Sequence, residues 1–238
     1  MKLNYKKTLK KYMDIHQIIP EKDGGYSIII YIEDFLEENK YKTYLHHINT
    51  INDWKSGDRD GHVINRLQKW YHIDKQPFSQ NWRYEWPRWS PHNYDEWIYN
   101  IQHNVETKIQ DIKENLHYHH KQYLNNTFNS ALFNYYRNGE DAIGRHRDDI
   151  LVLGENNTIA CVSFGSPRVF EIKRVIYNPD NLKSLKLNKD QQHMNKNIIL
   201  KPNSLLIMSG SFQKYFSHEI PKSTEFTAER QSITLRHV

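Results

Sequence analysis

His146, Arg147 and Asp148 form an H-x-D triplet. In an extended chain, residues i and i+2 point to the same side, so His146 and Asp148 face one point and Arg147 faces away. A third donor, His218, stands in the segment Phe216-Ser217-His218-Glu219-Ile220-Pro221. Two histidines and one carboxylate on one face of an iron ion leave its other positions open to reactants, the arrangement of non-haem Fe(II) oxygenases. With 14 histidines in the chain, an H-x-D alone is weak. Its neighbours give it weight.

The last strand carries a second chemical set. Alternation in Arg230-Gln231-Ser232-Ile233-Thr234-Leu235-Arg236 puts Arg230, Ser232, Thr234 and Arg236 on one face, with Ile233 and Leu235 on the other. Two inward arginines need anions, because an unpaired buried charge is costly. Their Cα atoms lie roughly 20 Å apart at strand rise, so they can reach toward opposite ends of one small dicarboxylate. Arginine suits this task because its fork meets a carboxylate through two hydrogen bonds. Asn134 and Tyr136 share a strand face and can bond the same acid.

These groups need a scaffold. The chain has 238 residues, 37% hydrophobic and 26% charged, which suits one folded domain with a sizeable core. The net charge of +5 is compatible with a polyanionic partner. One cysteine, Cys161, rules out an internal disulfide and fits an intracellular, reducing compartment. No apolar run is long enough for a membrane span.

Residues 1–25 read as a loosely attached extension ending in the turn signal Asp23-Gly24-Gly25. Tyr26–Ile32 reads as a strand and Phe35–Ile51 as a helix. Residues 61–95 are rich in aromatics and arginine, among them Arg66, Tyr71, Tyr84 and Trp86, a mixture suited to base stacking and phosphate contact. Tyr94–Tyr118 has the spacing of an amphipathic helix laid on a sheet. From 126 to 238 short β-rich runs alternate with turns such as Gly165-Ser166-Pro167, the pattern of a sandwich or jelly roll. The polar stretch Asn178–Asn197 reads as a long hairpin loop or insertion.

Several motifs occur in order: Asn134-x-Tyr136-x-Asn138-Gly139, Ile143-Gly144-x-His146-x-Asp148-Asp149, Ile159-Ala160-x-Val162-Ser163-Phe164-Gly165, Ser204-Leu205-Leu206-Ile207-Met208, His218-x-Ile220-Pro221 and Arg230-x-x-x-Thr234-x-Arg236. Together they resemble the AlkB family of Fe(II)/2-oxoglutarate-dependent dioxygenases, which remove alkyl lesions from nucleic-acid bases. The resemblance runs from about Arg66 to the C-terminus.

It implies an α+β fold with a mainly β core. That core is a double-stranded β-helix, or jelly roll, with helices on one side and an N-terminal substrate-recognition lid. It implies Fe(II) on His146, Asp148 and His218, with O₂ as oxidant. It also implies 2-oxoglutarate held by Asn134, Tyr136, Arg230, Ser232 and Arg236. The lid would supply Trp86 to stack on a flipped base and Tyr84 to line the pocket. Arg66 and Tyr71 would open the lid, and Asp149 and Ile150 would meet the base. The implied reaction removes an N-methyl group as formaldehyde while 2-oxoglutarate becomes succinate and CO₂.

Three positions depart from the family. Asn commonly stands where Ser232 is, and DNA-repair members usually have Glu at Ile150. Between Pro221 and Arg230 the only basic residue is Lys222, where duplex-specific relatives carry a basic cluster. The expectation is a monomeric DNA-repair demethylase preferring single-stranded DNA, with RNA or duplex DNA as alternatives. Its rivals are an RNA demethylase, a hydroxylase of another substrate class, and a non-catalytic jelly roll that binds nucleic acid.

Overall fold

The computed structural model describes residues 15–59, 62–78 and 90–238. Its elements in chain order are β1 (Ile15–Pro20), β2 (Tyr26–Ile32), α1 (Glu38–Asn49), β3 (Lys55–Arg59), β4 (His62–His72) and β5 (Pro91–His92). Then come α2 (Glu96–Asn115), α3 (Tyr118–Lys121), β6 (Ser130–Tyr136), β7 (Ile143–His146), α4 (Ile150–Leu153), β8 (Ile159–Gly165) and β9 (Arg168–Arg174). β10 (Lys196–Leu200), β11 (Ser204–Gly210), α5 (Phe212–Tyr215), β12 (Phe216–Ile220) and β13 (Arg230–Arg236) complete the chain.

Two sheets result. The larger has the order β1-β2-β11-β8-β13-β6-β4-β3, with the short β5 added parallel to β4. The smaller has the order β10-β9-β12-β7. All other pairings are antiparallel. Period-2 alternation divides the larger sheet's side chains between two cores. Ile28, Ile30, Phe133, Val162, Ile207 and Leu235 face outward onto the helices. Ile29, Tyr31, Leu206 and Met208 face inward and pack on Phe170, Ile172, Ile198 and Phe216 of the smaller sheet. This is the jelly-roll sandwich with helices on one side.

The helical cover follows from the sequence period. Ile98, Ile101, Val105, Ile109 and Ile112 recur every three or four residues along α2, and all are buried. The Gly165-Ser166-Pro167 turn lies between β8 and β9. Gly165 has φ +74°, and a Cβ there would lie 2.5 Å from the Glu229 carbonyl. Only glycine lets the start of β13 come so close.

Two expectations about organisation change. Ile15–Pro20 pairs along β2 from Ile15↔Tyr31 to Pro20↔Tyr26, so the expected loose extension contains an edge strand of the larger sheet. Residues 65–71, expected to open the lid, lie in the 11-residue strand β4, which pairs with β6 from Leu67 to His72. Their aromatic and basic content hid the alternation. The connection from β9 to β10 is the expected hairpin loop, closed by a 3-10 helix at Lys189–Met194 and a bridge between Val175 and Leu187.

Candidate active site

The inner face of the sandwich positions the chemistry. His146 ends β7 and sits directly opposite His218 of β12 in the ladder, their ring centroids 4.3 Å apart. The register shifts next to this pair, and such bulges re-aim side chains. Beyond the strand, Asp148 turns its carboxylate toward the pair: Oδ2 lies 4.0 Å from His218 Nε2. Arg147 does face away. It donates to the carbonyls of Lys214 at 3.0 Å and Ser184 at 3.0 Å, and also to that of Leu182.

The electrostatics suit ligands. His146 Nδ1 lies 2.8 Å from the Gly144 carbonyl. That contact makes Nδ1 the protonated nitrogen and leaves the Nε2 lone pair available. Burial, with Arg66 and Arg236 nearby, pushes the His146 imidazole below its ordinary range although Asp148 opposes it. His218 is lowered to about 3 by burial first and then by His146. Both rings are therefore neutral, as a metal requires. Burial alone raises the Asp148 carboxyl, but Arg236, His218 and His146 outweigh it and hold it below the usual range.

No group of three or more His, Cys, Asp or Glu side chains among the described residues is drawn up at metal-holding spacing. In this set Arg236 Nη2 occupies Asp148 Oδ1 at 2.9 Å. The donors still fit Fe(II): Asp148 Oδ2 is buried without a hydrogen-bond partner, and both rings are neutral. Two imidazoles and one carboxylate are the set that iron takes while keeping open positions.

The dicarboxylate set lies alongside. β13 presents Arg230, Ser232, Thr234 and Arg236 inward, as alternation required, while Ile233 and Leu235 join the helix-side core. Arg230 is fully buried (0% exposed) and donates from Nη2 to Ser163 Oγ at 3.0 Å. Among the described residues, its Nε and Nη1 have no hydrogen-bond partner, nor do Nε and Nη1 of Arg236. Buried guanidinium N–H groups left bare are expensive, and carboxylate oxygens are their natural partners. Tyr136 lies between two guanidinium groups, with Arg230 Cζ 5.2 Å and Arg168 Cζ 5.4 Å from its ring centroid. Burial raises its phenol despite three nearby arginines, so it stays a donor. Asn134 Oδ1 accepts from Gln68 Nε2 at 2.9 Å and Arg66 Nε at 3.1 Å. Ser232 sits between Asn134 and Ser163 in the ladder. These residues fit 2-oxoglutarate.

The expected substrate residues separate. Tyr71 is 4% exposed and packs on Phe133 in the helix-side core, on the opposite face of β4 from Gln68. A one-residue step along a strand reverses the face, which turns Tyr71 into the helix-side core. Arg66, expected to open the lid, bonds Asn134 and the Ala142 carbonyl, which puts it beside the dicarboxylate set. Asp149 caps α4, its carboxylate accepting from the Leu151 N–H at 2.9 Å. Ile150 is buried. Tyr84 and Trp86 lie outside the described residues. Gln68, Ser163 and Gln213, which accepts from the Asp148 N–H at 2.9 Å, complete the site but were not expected. Ser163 was within reach of the sequence: strand alternation places it with Cys161 on the inner face of β8.

The jelly roll thus brings an inward His-x-Asp and His set beside two arginines that each keep bare N–H groups among the described residues. The chain matches the 2OG-Fe(II) oxygenase superfamily over residues 29–236 and belongs to it. Fe(II), 2-oxoglutarate and O₂ are the reactants of that superfamily. Within it, the chain is AlkB-like. It is 35% identical over 113 residues to the human alpha-ketoglutarate-dependent dioxygenase alkB homolog 3, covering 47% of this chain and 37% of that protein. It is 30% identical over 135 residues to the DNA oxidative demethylase ALKBH2 of Arabidopsis thaliana, covering 53% of this chain and 43% of that protein. The matched stretch spans less than half the length of either relative. The solved structure of OsALKBH1 shares the fold with a TM-score of 0.58 at 15% identity, covering 88% of this chain and 97% of that one.

Proposed function

We propose that this chain removes alkyl groups from N-alkylated bases in nucleic acid, using Fe(II), 2-oxoglutarate and O₂, and that it prefers single strands. The observation that carries the reading is the set of bare guanidinium N–H groups on Arg230 and Arg236, on the face toward which the two histidines and Asp148 converge. A positive, buried, hydrogen-bond-hungry pocket beside a neutral-His and carboxylate set is what a metal-chelating dicarboxylate needs.

His146, Asp148 and His218 would hold the iron. Arg230, steadied by Ser163, would take the distal carboxylate of 2-oxoglutarate. Arg236 would divide its fork between Asp148 and the acid, and Tyr136 and Asn134 would complete the contacts. When bound, iron with 2-oxoglutarate and O₂ supplies the oxidising power that hydroxylates an N-methyl carbon, after which formaldehyde leaves the base. The protein's own part is to orient these reactants and keep water from them. A base must leave its stack to reach the site. Trp86 is assigned to stack on it and Tyr84 to line its path.

The nucleic-acid assignment draws on the relatives, an alkB homolog and a DNA oxidative demethylase. The strand preference draws on charge. Lys222, the one basic residue between Pro221 and Arg230, is paired with Glu140 at 2.9 Å. A single-stranded base also avoids the few kcal/mol of unpairing that a duplex demands.

The test is incubation of the iron-loaded protein with methylated single-stranded DNA, duplex DNA and RNA, followed by mass spectrometry of the bases and measurement of succinate. Loss of methyl groups is expected, fastest from single-stranded DNA. Succinate formation that no methylated nucleic acid stimulates would remove the substrate assignment. A faster duplex reaction would remove the strand preference.

A further inference from the structure

The β7–β12 ladder brings His146 into register with His218, but it ends before Asp148. The carboxylate therefore stands on a turn that no strand pairing fixes. Arg236 of β13 holds one carboxylate oxygen, and the short helix α5, leading directly into β12, holds the main chain. Gln213 Oε1 accepts from the Asp148 N–H at 2.9 Å. Arg147 grips the same helix, donating from Nη1 to the Lys214 carbonyl at 3.0 Å. Phe212, on the same helix, lies against the His218 ring at 6.1 Å between centroids. One four-residue element thus touches both the turn that carries Asp148 and the ring of His218.

Gln213 is no ordinary packing residue. It is 1% exposed, and its Nε2 is buried with no hydrogen-bond partner. An unsatisfied buried amide group is costly, and Leu or Met of similar volume would avoid that cost. The cost is tolerated where the other half of the amide has a task, and here that half fixes the main chain of Asp148.

We propose that Gln213 is a positioning residue for the iron centre, setting the Asp148 carboxylate against His218 through the Asp148 main-chain N–H. This rests on the reading of His146, Asp148 and His218 as iron ligands. Ligand constellations must be held within about 0.5 Å by their supporting groups. Loss of such a supporting contact typically costs 10–100-fold in metal affinity.

The experiment titrates the metal-free protein with Mn(II), a redox-silent probe, following free Mn(II) by electron paramagnetic resonance. Gln213→Leu removes the acceptor at similar volume and is expected to raise the Mn(II) Kd at least about tenfold. Gln213→Glu keeps an acceptor oxygen at the same reach and is expected to stay within about threefold of the wild type, well short of that loss. Should Gln213→Leu fail to fold, Gln213→Asn, one methylene too short to reach, carries the same expectation. Equal affinity in the wild type and Gln213→Leu, or equal weakening in Gln213→Leu and Gln213→Glu, would overturn the role. His218→Ala serves as the reference for a broken site. If the wild type binds Mn(II) no better than His218→Ala, the ligand assignment itself fails, and with it this inference.

Discussion

Arg230 and Arg236 differ in what they already hold. Arg236 has one arm on Asp148, so its charge is partly answered before any acid arrives. Among the described residues, Arg230 has the Ser163 hydroxyl and the Tyr136 ring, both neutral partners. The larger share of the dicarboxylate's binding should therefore rest on Arg230. A hydrogen bond to a charged group contributes roughly 1.5–3 kcal/mol, or about 10–150-fold in affinity. Arg230→Ala is expected to raise the 2-oxoglutarate requirement by at least about tenfold. Arg230→Lys, which keeps the charge but loses the fork, should fall between it and the wild type. Steady-state kinetics with varied 2-oxoglutarate checks this, and an unchanged KM in Arg230→Ala would take the residue out of the pocket.

At the scale of elements, legibility followed alternation. β13 could be read because two arginines and two aliphatics took opposite faces along seven residues, and the structure repeats that division. β4 could not, because Arg66, Gln68 and Trp70 on one face and Leu67, Lys69 and Tyr71 on the other mix polar and aromatic types on both. Packing against β6 made it a strand, and Tyr71 went to the core as a result. The His146–His218 pairing was a matter of matched chemistry, since no local pattern records which distant strands will meet.

β1 was missed for a different reason. Besides its pairing with β2 and the packing of Ile18 and Ile19, that end of β1 is tied down by a buried ion pair that no local pattern records. Glu21, in the turn after β1, pairs with Arg174 at the end of β9, with Arg174 Nη1 2.7 Å from Glu21 Oε1 and both side chains buried. The Arg174 guanidinium also lies over Tyr215 and Phe216, 4.7 and 4.8 Å from their ring centroids. Removing one partner leaves a buried charge. Glu21→Ala is expected to destabilise the fold by about 3–5 kcal/mol, whereas replacing both partners by apolar residues should recover much of the loss. Chemical denaturation of the single and double variants checks it, and a loss under about 1 kcal/mol would place the pair among weak surface contacts.

For the molecule as a whole, the sandwich is asymmetric. Helices α1 and α2 cover the larger sheet, while the smaller sheet's outer face carries Arg145, Glu171, Lys173 and Glu219 in a network of ion pairs. No described helix is long and apolar enough to cross a membrane. The net charge of +5 is therefore not focused by that face, where acids and bases answer one another. With Lys222 also paired, long-range attraction to a duplex has little to build on there, which is the molecular-scale ground for expecting single strands.

Because both arginines that keep bare N–H groups rise from one strand, their separation is a ruler set by the backbone. On the proposed reading, an acid five carbons long would touch both marks at once. Succinate, the four-carbon product, would then be one carbon short and hold only one end, so the proposed reaction would loosen its own product. A two-oxo acid one carbon shorter or longer than 2-oxoglutarate should likewise fail to span the marks. Calorimetric titration of the Mn(II)-loaded protein with oxaloacetate, 2-oxoglutarate and 2-oxoadipate should show the middle member binding most tightly. Equal binding of all three would mean that the strand measures nothing.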